Sequence, residues 1–130
     1  MKIIGVFAAL LGLYGVITGA VAEHVIQDAH ASDMVKMAAF YGLLHAAVLL
    51  GWNASGYMAL AAKIFLIVGV FLFSGSITLK YVGHFIAPLN LAPIGGGILI
   101  LGWLFILIIY IKEIIVSLYR HSLKNKSSNA

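Results

Sequence analysis

The 130-residue chain is 63% hydrophobic and 9% charged, with a mean hydropathy of +1.10, whereas soluble proteins carry roughly 25% charged residues. That balance excludes a soluble globular domain, and the absence of cysteine excludes disulfides, thiolate metal sites and thiol catalysis. The net charge of +4 comes largely from the last twenty residues, where it bears on membrane orientation; nucleic-acid binding would need a basic folded face.

A spanning helix needs about 20 mostly apolar residues. Four segments qualify, residues 3–22, 35–52, 57–79 and 94–116, followed by a basic polar tail, 117–130, that is expected to fray. The predicted fold is therefore all-α, an integral membrane four-helix bundle with both termini on the same side. The first segment, "MKIIGVFAALLGLYGVITGAVAEH", imitates a cleavable signal peptide through its lysine and its Ala20-Val21-Ala22 triplet. Its apolar core is long and glycine-studded, which favours a retained helix. Ala8, Gly12, Gly15 and Gly19 follow at steps of three and four, so small residues line one face. Close backbone approach is what such a stripe permits in lipid, more often within a bundle than between copies.

A polar loop is expected from Glu23 to Asp33, then the second span, whose middle holds one titratable group, His45. Asn53 to Gly56 reads as a tight turn. In the third span Lys63 lies near one end, where it can snorkel toward the headgroups, with Glu113 of the fourth span as a candidate ion-pair partner. Further along, "FSGSIT" places Ser74 and Thr78 one turn apart, suited to hydrogen bonds within or between helices. The third loop, Lys80 to Pro93, holds both prolines, and Pro93 suits the first turn of the fourth helix. The "PIGGG" that opens this helix lacks the lysine and hydroxyl residue of a phosphate loop. Trp52, Tyr57 and Tyr81 fall near span ends, as an aromatic belt requires.

Lysine and arginine set orientation. One side would hold Lys2, Lys63, Lys112, Arg120, Lys124 and Lys126, the other Lys36 and Lys80. Six against two favours both termini in the cytoplasm. Depth arithmetic places His45 within about 1 Å of the midplane and Tyr41 about one turn outward on the same face. Tyr14 falls near the His45 level and Ser74 near the Tyr41 level. The expected packing node is thus His45, Tyr41, Tyr14 and Ser74: a neutral, inward-facing His45 bonded to Tyr14 or a backbone carbonyl, and Tyr41 bonded to the Ser74 hydroxyl.

"YGLLHAAVLL", "LFSGS" (ending Phe73, Ser74, Gly75, Ser76) and "APIGGGILILGW" (with Pro93, Gly95, Gly96, Gly102 and Trp103) occur in an order that resembles the small four-helix bacterial inner-membrane proteins of domain of unknown function 423. That family is similar to the YgdD and YwdK proteins and to a mitochondrial transmembrane protein numbered 256. After its first helix the family reads Gly-Ala-Phe-Gly-Ala-His-Gly. Here Gly19-Ala20-Val21-Ala22-Glu23-His24-Val25 keeps the first pair and His24, replaces two glycines and introduces an acid. The resemblance implies a retained first helix and four spans, and no activity.

Other functions find less support. A loop set of His24, Asp28, His30 and His84 has zinc-competent side chains, but its spacing is no known metal motif. A haem would need a second histidine within the spans. A transporter or proton relay using His45 would need an acid at the same depth or a broken span, and neither is seen. An enzyme would need a nucleophile, base and acid at one depth. The expectation is a non-catalytic inner-membrane protein without cofactor or nucleic-acid partner, acting through helix packing with lipid, a larger membrane complex or copies of itself.

Overall fold

A computed structural model describes residues 2–85 and 91–128. Its four helices are α1, Lys2–His24, α2, Ala29–Gly51, α3, Tyr57–Tyr81, and α4, Leu91–Ser128. All four are long and apolar enough to cross a membrane. Large apolar side chains such as Ile3, Leu13, Phe71 and Ile100 remain more than half exposed, as befits a bundle solvated by acyl chains.

Two boundaries depart from expectation. The polar stretch 23–33 is mostly helix, because Asp28 caps α2 by accepting the Ala31 amide at 2.7 Å. Only residues 25–28 separate α1 from α2. In the third loop, residues 86–90 lie outside the described residues. The tail does not fray at residue 117: α4 continues to Ser128. A nucleated helix extends at little cost through formers such as Leu118, Arg120, Leu123 and Lys124.

The helices pair as two close-packed hairpins. Gly15 abuts α2, where an added Cβ would lie 2.7 Å from Leu43 Cγ and 2.9 Å from the Ala39 carbonyl oxygen. Gly12 and Gly19 face Ala46 and Ala39 of the same helix. The small-residue stripe is therefore an internal seam. The second seam joins α3 to α4 through Gly69 against Leu99, Gly95 against the Phe73 backbone, and Gly102 against Leu66. In each of these pairs the number rises on one helix as it falls on the other, so α3 and α4 run antiparallel. By the same register Tyr57 faces Ile111, and the last seventeen residues of the helix, 112–128, project about 25 Å beyond the start of α3.

Between the hairpins lies a core that includes Leu11, Leu49, Leu66, Val70, Leu99 and Ile106. At one end of the bundle an ion pair joins Lys36 to Glu23 at 2.5 Å, and the Ser32 hydroxyl donates to the Ala22 carbonyl at 2.7 Å. These two contacts join the end of α1 to the start of α2, beyond the glycine seam.

Candidate functional site

Several polar side chains are carried into the interior of the bundle, among them His45, Ser74 and Thr18. His45 is 1% exposed. Its Nδ1 lies 2.8 Å from the Tyr41 carbonyl one turn earlier, and its Nε2 lies 3.2 Å from Trp103 Nε1 on α4. An indole nitrogen only donates and a carbonyl only accepts. Nε2 must therefore be the acceptor and Nδ1 must carry the hydrogen, which makes the ring the neutral Nδ1–H tautomer with both nitrogens used.

Tyr41 serves this arrangement through its backbone and its ring. The ring stacks with His45 at 5.9 Å between centroids and tilts against Phe73 of α3 at 4.7 Å. The expected bond from Tyr41 to the Ser74 hydroxyl does not form. Ser74 Oγ is buried and has no hydrogen-bond partner among the described residues. The two residues share a depth, but the Tyr41 ring turns toward Phe73.

Tyr14 does not reach His45 either. Its hydroxyl donates to the Ser74 carbonyl at 3.1 Å and lies 2.6 Å from Thr78 Oγ1. With the Tyr14 hydrogen committed to the carbonyl, Thr78 is the donor in the second bond. This knot ties α1 to α3, while the His45–Trp103 bond ties α2 to α4 across the packed hairpins. The four expected residues thus form two knots in place of one.

Trp103 and Thr78 complete the two knots: the sequence marks Thr78 as a hydrogen-bonding hydroxyl and Trp103 as a motif position, but pairs neither with Tyr14 or His45. Trp103 lies twelve residues into α4, about 18 Å from its start. A mid-span indole N–H needs an acceptor, and that requirement was the available signal. Thr78 stood one turn from Ser74 with a hydroxyl to place. Depth alone could not say which helix it would face.

The remaining motif positions divide by role. Gly95 and Gly102 permit close helix approach, whereas an added Cβ would make only ordinary contact at Gly19, 3.7 Å from Ala39, and at Gly96, 3.9 Å from the Phe73 ring. Ser76 returns its hydroxyl to the Phe73 carbonyl at 3.0 Å. A Cβ at Gly75 would meet nothing within 4 Å. Pro93 stands in the first turn of α4, and His24 ends α1 exposed. His30, expected in a loop, lies in the first turn of α2, where its Nε2 pairs with the Tyr81 hydroxyl at 3.3 Å, and Asp28 is spent on its cap. No group of three or more histidines and carboxylates able to hold a metal occurs among the described residues.

Lys63 and Glu113 form no ion pair. By the antiparallel register Lys63 stands level with Phe105, so Glu113 lies eight residues, about 12 Å, further along. Lys63 is buried, 6% exposed, and folds back to the turn between α2 and α3. Its Nζ donates to the Ala54 carbonyl at 2.9 Å and stands 5.3 Å from the centre of the Trp52 ring. Gly56 makes that turn with φ of +102°, a conformation that favours glycine.

Chemically, the mid-membrane knots hold the helices in register and leave His45 no nitrogen for a ligand. A family model described as a protein of unknown function, DUF423, matches residues 18–96. That stretch contains His45, Lys63 and Ser74, while Tyr14 and Trp103 flank it. No curated protein and no solved structure matches the chain significantly. With the family model covering well over half of its length, the chain belongs to the DUF423 family of proteins of unknown function.

Proposed function

We propose that this protein is a non-catalytic component of the bacterial inner membrane that acts by associating with lipid or with a larger membrane complex. The observation that carries this reading is that both nitrogens of His45 are occupied, Nδ1 by the Tyr41 carbonyl of its own helix and Nε2 by Trp103 of α4. A proton relay or ligand site needs a free lone pair or hydrogen facing a path, and this imidazole has neither. The outward faces of α1 and α4, by contrast, are apolar and open, including Leu10, Ile17, Leu104 and Leu107. The basic bias supports a cytoplasmic placement of both termini.

Extraction in a gentle detergent, followed by identification of stoichiometric co-purifying proteins and lipids, tests the reading. Recovery with a defined membrane complex or with tightly retained lipid is expected. A bare, monodisperse chain that carries protons or cations into proteoliposomes faster than empty vesicles allow would replace it with a transporter.

A further inference from the structure

Lys63 is a buried cation with no carboxylate within ion-pair reach among the described residues. Buried charges are ordinarily paired, because desolvating an ammonium is expensive. Its described partners are one carbonyl, that of Ala54, and the face of Trp52. An ammonium has three hydrogens to donate, so two remain for a partner from outside the chain.

The space for that partner is beside it. A cleft of about 300 Å³ opens between Lys63, Ala54, Gly56, Tyr57, Leu60 and Ile4. Its upper wall is the α2–α3 turn, where Gly56 precedes α3 without any side-chain cap, so the first amides of that helix add to the positive potential set by the ammonium. Tyr57, 94% exposed, marks this end as the edge of the bundle. Below the turn Leu60 lines the cleft, and Ile64, Val68 and Phe71 continue its face along α3 at three- and four-residue steps, each of the four between 42% and 57% exposed. Donors above a continuous apolar strip match a phosphate with acyl chains beneath it, and a free anion would have no use for the strip.

We propose that Lys63 and this cleft bind the phosphate group of an anionic phospholipid. The inference rests on the membrane-associated reading above and deepens it by naming the lipid chemistry. The Lys63 ammonium supplies charge and two hydrogen bonds to phosphate oxygens, and the acyl chains lie along the α3 strip. The anion thereby provides the counter-charge that the chain itself does not.

Native mass spectrometry of the full chain released from mild detergent, with phosphatidylglycerol or phosphatidylcholine of identical acyl chains added, tests this. Phosphatidylglycerol should be retained at about fivefold lower concentration, the preference that one lysine near an anionic surface confers. Lys63→Gln should abolish the preference, while Lys63→Arg and the control Lys112→Gln should keep it. If Lys63→Gln does not fold, the native chain is read by tryptophan quenching, with phosphatidylglycerol brominated on its acyl chains expected to quench more than equally brominated phosphatidylcholine. Millimolar inorganic phosphate should not displace the lipid, and displacement would assign the ammonium to a free anion and overturn the lipid site. Equal retention or equal quenching by the two lipids, or an undiminished preference in Lys63→Gln, would also overturn it. None of these outcomes bears on protein co-purification, so the site can fail while the broader reading stands.

Discussion

Gly95 offers the sharpest test of the packing, because two neighbouring glycines of one run have opposite surroundings. An alanine Cβ at position 95 would lie 2.8 Å from both the Gly69 carbonyl oxygen and the Leu72 carbonyl carbon, and still closer to the Phe73 amide nitrogen. Ordinary contact begins near 3.4 Å, so α3 and α4 would have to separate by more than 0.6 Å, the Phe73 amide setting the larger demand, along a seam that also holds Gly69 and Gly102. The atoms met belong to a helix backbone, which cannot swing aside as a side chain can. Overpacking of this kind costs up to about 3 kcal/mol. Replacing glycine by alanine in a helix returns about 1 kcal/mol, which leaves a net loss near 2 kcal/mol. At position 97 a Cβ meets nothing within 4 Å, so Gly97→Ala should gain up to about 1 kcal/mol from propensity alone. Unfolding of the purified variants by sodium dodecyl sulfate titrated into mild micelles, followed by circular dichroism, measures both. Gly95→Ala unfolding at the same detergent fraction as Gly97→Ala would refute the close approach of α4 to α3.

Trp103→Phe should cost about 1 kcal/mol, because it leaves the buried Nε2 of His45 without a donor. His45→Leu should cost less, near the 0.6 kcal/mol typical of interhelical bonds in membranes, since an indole 42% exposed to acyl chains has room to turn toward another acceptor and the buried imidazole has none. The same titration ranks the two, and the reverse order would argue against the assigned bond. Tyr14→Phe and Thr78→Val should each destabilise by about 1 kcal/mol and be strongly non-additive in the double variant, because they share one hydrogen bond. Additive losses would separate them. A cysteine introduced by Asn125→Cys is the sole thiol in the chain; an impermeant maleimide should label it only after cell lysis, and labelling in intact cells would reverse the proposed topology.

Much of this architecture is written in one dimension. The four spans and their order follow from apolar length, and the turn at residues 53–56 follows from asparagine, serine and glycine between two such lengths. The glycine spacing in α1 announces a face, and α2 indeed packs upon it. Two local signals were also present and outweighed by polarity: Asp28 before an alanine-rich stretch is a helix cap, and the tail holds good helix formers. Which side chains meet was decided by the tertiary structure. Sequence position along a helix yields depth at 1.5 Å per residue, so His45, Tyr14 and Tyr41 could be placed by level. Azimuth is set by how ridges of one helix seat on another, and a rotation of less than half a turn exchanges one partner for the next. For that reason the imidazole found Trp103 of α4, Tyr14 found Thr78, and Lys63 found the carbonyl of its own preceding turn.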